Sequence, residues 1–112
     1  MKHVGVGIGD SMEPTIHSGA VFIWHRIKEK ETLSIYDIVL FKSKGYHKDG
    51  SLSGRQGSVM HRIVAILPKN RFVIKGDNRD YEEIVQRQNI FGKCDRVWQI
   101  GNNWKVGGAK AL

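Results

Sequence analysis

The sequence contains one cysteine and two prolines in 112 residues, and it lacks any long apolar run. The single thiol, Cys94, cannot form an internal disulfide, and no second cysteine stands at zinc-ligand spacing. The longest apolar runs, at residues 20–24 and 63–67, are far shorter than the roughly 20 residues of a membrane-spanning helix. We therefore expect no disulfide scaffold, no metal, no cofactor and no membrane anchor.

Length and composition predict a single globular domain over residues 1–112, with 40% hydrophobic and 26% charged residues. The first nine residues lack the features of a secretory signal, so we expect a cytoplasmic location and at most peripheral membrane contact. The formal charge of +7 permits contact with a polyanion. Because the basic residues are spread along the chain, nucleic-acid binding is not expected.

Short segments rich in Val, Ile, Phe and Trp predict a mostly β fold with few or no helices. The predicted strands are residues 20–26, 36–42, 58–67, 71–75 and 96–100. Only residues 27–33 and 81–88 have a pattern that allows a helical turn or two. Gly5, Gly7 and Gly9 alternate with apolar residues, which predicts an extended segment whose backbone passes close to another group.

A long segment at residues 43–57 is rich in Gly, Ser and Lys and shows no periodicity. This composition predicts an exposed loop between two strands. The loop is either a flap on the substrate side or a tolerated insertion.

Ser11 is the first candidate for a chemical role. It follows the glycine-rich segment and precedes Pro14, whose ring fixes its own φ and restricts the residue before it. A serine hydroxyl attacks a carbonyl only when a base lies within reach and donors stand where the oxyanion forms. A serine in such a place is more often a cap or a solvated hydroxyl, so its partners decide.

Several segments, in order, resemble the signal peptidase I and LexA-like serine protease superfamily. They are Ser-Met-Glu-Pro-Thr at 11–15 (the serine box), Tyr-Asp-Ile-Val-Leu-Phe at 36–41 (the family's Gly-Asp-Ile-Val-Val-Phe strand), His-Arg-Ile-Val at 61–64 (the base-bearing strand), Lys-Gly-Asp-Asn-Arg-Asp at 75–80 (the acidic box) and Ile-Phe-Gly-Lys at 90–93 (the closing strand). The resemblance covers residues 9–93 and implies a LexA/signal-peptidase-like β-barrel.

The resemblance implies that Ser11 is the nucleophile and His61 the general base of a serine peptidase. Bacterial signal peptidases and LexA-type proteins carry lysine at the second position. The archaeal and endoplasmic-reticulum signal peptidases carry histidine followed by arginine, as this chain does at His61 and Arg62. The base is therefore expected to be an imidazole.

An acid on the second ring nitrogen of such a base fixes the tautomer and stabilises the imidazolium. The acidic box is similar to the bacterial, lysine-type box, and Asp77 is our first choice for this acid, with Asp80 second. The family's further downstream acid falls near Ile84 and is not matched. Glu82 or Glu83 could replace it.

The resemblance also implies an oxyanion site that includes the backbone N–H of Ser11, with Gly9 where some relatives have a hydroxyl. Met12 and Pro14, which follow the nucleophile, are expected to contact the substrate. The implied substrate is a peptide or protein, for example one with a segment like a signal peptide. It is cleaved after a small residue while it lies extended along a strand edge.

Two other classes of function remain open. The barrel could be a catalytically inert or regulatory binding module, in which case Ser11 should not react with acylating reagents. It could also be a basic β-barrel that binds nucleic acid, with a steep salt dependence. For the peptidase, an unperturbed histidine base predicts loss of activity between roughly pH 7.5 and 5.

Overall fold

The β-branched and aromatic runs form one curled antiparallel sheet in a computed structural model that describes residues 1–106. The strands are β1 (Lys2–Val6), β2 (Val21–Arg26), β3 (Ile38–Ser43), β4 (Gly57–Leu67), β5 (Arg71–Lys75), β6 (Glu83–Gln86), β7 (Ile90–Gln99) and β8 (Asn102–Lys105). Their order is β1-β2-β7-β3-β4-β5-β6, and β8 pairs with β7. With 49% strand and 3% helical residues, the mostly β prediction is confirmed, and the sheet forms a half-barrel.

The predicted strands are all present, but two parts of the chain differ from expectation. β7 begins at Ile90 rather than at residue 96. Half of residues 81–88 form β6, which pairs with β5, and Glu83 and Val85 alternate with exposed neighbours in the period of a strand. A 3-10 turn at Arg87–Asn89 follows, and residues 27–33 form an irregular connection with a turn.

β3 is buried on both faces and divides the interior into two apolar clusters. The first cluster contains Met12, Ile16, Ala20, Phe22, Ile38, Leu40, Cys94 and Val97. The second cluster contains Leu33, Val39, Phe41, Ile63, Phe72, Ile74, Val85 and Ile90. Successive side chains of a strand point to opposite faces, so β4 likewise packs Met60 against the first cluster and Val59 against the second.

Residues 44–56, which we call the flap, fold back as a short hairpin. Tyr46 and Leu52 form an isolated β-bridge within it. The Lys48 ammonium lies 2.8 Å from an Asp10 carboxylate oxygen, and the Tyr46 ring stacks on Tyr81 with centroids 5.2 Å apart. The flap is therefore attached at two points to other parts of the chain.

The glycine-rich first strand does pass close to another group, as predicted. Gly5 lies opposite Phe22 in the β1–β2 pair. A Cβ atom on Gly5 would lie 2.5 Å from the tip of the Phe22 ring, closer than real carbon contacts allow. Gly7 is less crowded, because its Cβ would lie 3.8 Å from the Ala20 carbonyl oxygen.

Within residues 1–106, no helix has the length and apolar character to cross a membrane.

We predict that Gly5→Ala lowers the free energy of unfolding by about 1–3 kcal/mol, because the added methyl group displaces the buried Phe22 ring. Gly7→Ala is the matched control and should have a much smaller effect. Urea unfolding of the two variants measures the difference. Equal losses would contradict the close packing at Gly5.

Candidate active site

Ser11 is the first residue of a hydrogen-bonded turn that follows β1. The Glu13 amide donates to the Asp10 carbonyl at 3.1 Å, and the Ile16 amide donates to the Met12 carbonyl at 2.9 Å. The side chains of Met12 and Ile16 are buried in the first cluster and hold the turn in place. Neither the hydroxyl nor the amide of Ser11 makes a hydrogen bond within residues 1–106. Both groups are thus available to a ligand.

His61 lies on β4, opposite Val39 of β3, and is 4% exposed. Its Nε2 atom is buried and has no hydrogen-bond partner in the part of the chain that the structure describes. Burial, and then the positive charge of Arg79, lower the pKa of His61 to about 4, while the charge of Asp77 opposes this shift. The imidazole is therefore neutral at pH 7 and able to accept a proton, and the assumption of an unperturbed histidine is wrong.

Gly76 is the point at which Ser11 and His61 come together. A Cβ atom on Gly76 would lie 2.8 Å from the Ser11 carbonyl oxygen and 3.0 Å from His61 Nε2. The Asn78 amide, two residues further on, donates to the same Ser11 oxygen at 2.8 Å. A side chain at position 76 would therefore separate the serine turn from the histidine.

Asp77 is bound to the arginine that follows His61. Its two carboxylate oxygens accept hydrogen bonds from Arg62 Nε at 2.8 Å and Arg62 Nη2 at 2.7 Å. Burial raises the pKa of Asp77, but the hydrogen bonds of Arg62 and Thr15 outweigh it, and the net shift is downward. No hydrogen bond joins Asp77 to His61 within residues 1–106, so the carboxylate acts on the imidazole through its charge.

Asp10, the neighbour of Ser11, joins three parts of the site. Its carboxylate accepts hydrogen bonds from Lys48 of the flap at 2.8 Å and from Arg79 of the acidic box at 2.9 Å. These two hydrogen bonds lower the pKa of Asp10 to about 2. The Asn78 side chain also donates to the Asp10 carbonyl at 3.0 Å. The serine turn is therefore held on both sides.

The other acidic candidates lie in different environments. Asp80 and Glu82 are exposed, and neither makes an ion pair or a side-chain hydrogen bond within residues 1–106. Glu83 is 6% exposed and borders the same groove as Ser11 and His61. In the part of the chain that the structure describes, no three His, Cys, Asp or Glu side chains cluster in a way that could hold a metal ion.

The remaining candidates lie around the serine turn. Gly9 has a φ of 99°, a conformation that glycine adopts without strain, and its amide donates to Ser18 Oγ at 3.2 Å. Met12 lines the groove, and its sulfur accepts a hydrogen bond from the Asp77 amide at 3.4 Å. Pro14 is exposed and lies outside the residues that line the groove.

The groove next to Ser11 has a volume of about 590 Å³. Its lining includes Met12, Ile16 and Met60, which belong to or pack against the first cluster and which we call one wall, and Tyr46, Tyr81 and Glu83, which we call the second wall. β4 pairs with β3 along residues 57–62, whereas its pairing with β5 begins only at Arg62. Within the described residues, no strand pairs with the other edge of residues 57–61, so an extended peptide can add there.

Three residues of this site were not predicted from the sequence. Arg62 anchors Asp77, Arg79 lowers the pKa of His61, and Gly76 provides the space between Ser11 and His61. Arg62 directly follows His61, and Arg79 lies within the acidic box. The available signal was the presence of these two basic residues in segments that also carry candidate site residues. Gly76 offered no such signal, because its role depends on contacts with distant residues.

The signal peptidase I of Buchnera aphidicola subsp. Schizaphis graminum (strain Sg) is 33% identical to this chain over 58 residues. The similarity covers 43% of this chain and 19% of that relative, so the chain spans less than a fifth of the length of the curated protein that it matches. No protein-family model matches the chain. Part of this chain is therefore similar in sequence to part of a signal peptidase I.

We predict that Asp77→Asn lowers the free energy of unfolding by about 3 kcal/mol, because it leaves the buried Arg62 guanidinium without its charged partner. Asp80→Asn is the matched control and should change stability by less than about 0.5 kcal/mol, since Asp80 is exposed. Chemical denaturation of both variants tests the difference. A harmless Asp77→Asn substitution would refute the role of the ion pair.

An NMR titration should give His61 a pKa near 4, and Arg79→Met should raise it by removing a repelling charge. His25 is an internal control: burial lowers its pKa, but the hydrogen bonds of Asp95 and Glu31 outweigh this, and the net shift is upward. The folded protein disfavours protonated His61, whereas the unfolded chain takes up this proton near pH 6.5. The free energy of unfolding should therefore fall as the pH drops from 6.5 towards 4, and His61 should not change it above pH 6.5. A His61 pKa of 6.5 or above would contradict the burial of Nε2.

Proposed function

We propose that this chain is a serine endopeptidase of the signal-peptidase/LexA-like type, which cleaves an extended peptide after a small residue. One observation carries the proposal: Ser11 and a neutral, buried His61 both lie next to Gly76 and both line an open groove. The histidine followed by Arg62 favours a base of the archaeal and endoplasmic-reticulum type over a lysine.

In the proposed reaction, Ser11 Oγ attacks the carbonyl carbon of the substrate while His61 Nε2 accepts the hydroxyl proton. The tetrahedral intermediate collapses, the C–N bond breaks, and His61 returns the proton to the leaving amine. Water then attacks the acyl-enzyme with the same proton transfers and releases the acid. General-base help of this kind contributes about 10²–10⁴-fold in rate.

The proposed oxyanion donor is the Ser11 amide, which has no partner within residues 1–106. An N–H group that faces the developing negative charge stabilises the intermediate more than the neutral substrate. The Gly9 amide already donates to Ser18, so Gly9 contributes its backbone conformation rather than a second donor.

Asp77 remains our choice for the acid that supports His61, although it does so without a direct hydrogen bond to the imidazole. Its carboxylate is occupied by Arg62, and its charge favours the imidazolium that forms during the reaction. Asp80 makes no contact that supports a catalytic role. We infer that Asp77 is a positioning residue, because it holds the acidic box beside β4.

The substrate side of the proposal rests on the free edge of β4. A peptide that pairs with residues 57–61 places alternate side chains on the wall formed by Met12, Ile16 and Met60. This wall is apolar and continuous with the first cluster, which favours a small apolar residue at the cleavage point.

The test is incubation of four proteins with a mixed peptide library, read by mass spectrometry. Ser11→Ala and His61→Ala should each lower kcat/KM by about 10³-fold or more, because each removes a reacting group. Lys75→Met should retain activity, since within residues 1–106 the Lys75 ammonium hydrogen-bonds only to the Gly76 carbonyl, at 3.4 Å, and its charge acts on Asp77 rather than on His61. For wild type, kcat/KM should fall on the acid side near pH 4, the pKa of His61 in the free protein.

Three outcomes would contradict this proposal. Cleavage that survives Ser11→Ala excludes Ser11 as the nucleophile. An active His61→Ala variant together with a dead Lys75→Met variant indicates a Ser-Lys dyad. Peptide binding without any cleavage indicates the inert binding module.

A further inference from the structure

The groove contains a buried carboxylate that the proposed reaction does not use. Glu83 is 6% exposed, and its two oxygens share one hydroxyl, that of Ser43, at 3.1 and 2.9 Å. A hydroxyl has a single proton, so it can donate to only one of these oxygens at a time. Within residues 1–106, no Lys, Arg or His forms an ion pair with Glu83. One hydroxyl cannot satisfy two carboxylate oxygens, so Glu83 has unused capacity to accept hydrogen bonds. A buried carboxylate without a cation beside it is also energetically unfavourable.

Glu83 faces the same side of the sheet as His61. Residues directly opposite each other on antiparallel strands share a face, and the pairs Ser43↔Gly57, Phe41↔Val59 and Val39↔His61 all belong to one face. Through its bond to Ser43, Glu83 lies on this face as well. Met60 points to the opposite face, against the first cluster. A peptide on the free edge of β4 therefore directs neighbouring side chains to the two walls in turn.

Aromatic rings complete the wall around Glu83. The Tyr46 ring of the flap and the Tyr81 ring lie 5.2 Å apart at a tilt of 34°, and a Cβ atom on Gly50 of the flap would lie 3.3 Å from Tyr81. Both rings line the groove together with Glu83. Burial, and then the charge of Glu83, raise the pKa of Tyr46. Aromatic faces beside a carboxylate form an environment that binds cationic groups.

The basic residues of the groove leave this carboxylate unneutralised. The Arg79 guanidinium is bound to the Asp10 carboxylate and the Asn78 carbonyl, at 2.9 and 3.0 Å. Arg55 borders the groove but is exposed to solvent. Burial raises the pKa of Glu83, and the Ser43 hydrogen bond and the charge of Lys44 offset this shift only in part.

We propose that Glu83, with Ser43, Tyr46 and Tyr81, forms a subsite for the cationic side chain of a substrate lysine or arginine. This residue stands an odd number of positions, one or three, along the extended peptide from the small residue that packs against Met12, because its side chain points to the other face. Glu83 is bonded to Ser43, which lies opposite Gly57, four residues along β4 from His61. The inference rests on the proposed function and adds a specificity to it. The ammonium or guanidinium group donates to the carboxylate oxygens that Ser43 leaves unsatisfied.

The test compares peptides that contain one small residue at the cleavage point and differ only at one position. Lysine is compared with norleucine, and arginine with citrulline, one and three positions from the small residue on each side. Wild type should cleave the cationic peptide with a kcat/KM about tenfold higher, as expected for a charge-assisted hydrogen bond in a buried site. Glu83→Gln should bring this ratio to about one, whereas the exposed neighbour variant Glu82→Gln should keep it.

The wild-type ratio does not depend on whether Glu83→Gln folds, so it can overturn the inference by itself. Equal Ser11-dependent cleavage of lysine and norleucine peptides refutes the subsite and leaves the peptidase proposal intact. If no peptide is cleaved, fluorescence anisotropy with Ser11→Ala provides a separate measure. If Ser11→Ala binds the lysine peptide more tightly than the norleucine peptide, and the Ser11→Ala, Glu83→Gln double variant does not, the subsite is supported although the peptidase proposal fails. A preference for norleucine over lysine refutes the subsite.

Discussion

The bidentate ion pair between Arg62 and Asp77 is the contact on which the candidate site depends. The Arg62 side chain is only 6% exposed, and it also donates to the Tyr36 carbonyl at 3.2 Å. Because Arg62 follows His61 directly, the pair ties the acidic box to the strand that carries the imidazole. The box in turn holds the serine turn through Asn78. One buried, charge-assisted contact thus connects the two residues of the proposed catalytic pair.

The same close packing determines the electrostatics of His61. Its ring lies between the second cluster and Gly76, so water is excluded and the neutral form is favoured. Arg79 adds a repelling charge, while Asp77 favours the protonated form. The pKa of His61 therefore reflects burial first, and then the opposing charges of an arginine and an aspartate of one loop.

The flap and the serine turn form a continuous structure around the groove. Asp10 binds Lys48 of the flap on one side and Arg79 on the other, so the residue beside Ser11 also positions the flap. The Tyr81 ring contacts Tyr46 of the flap. The segment that composition alone describes as an exposed loop therefore lines the groove next to Ser11.

The sequence by itself determined the mostly β architecture, because strand periodicity and turn residues are local properties. It also indicated Ser11, His61 and Asp77 as candidates, through residue types in a familiar order. β6 was missed because its four residues form a strand only by pairing with β5. Only the tertiary structure decided that Asp77 binds Arg62 instead of His61, and that Glu83 faces the groove. These outcomes depend on burial and on contacts between residues far apart in the chain, which no local pattern encodes.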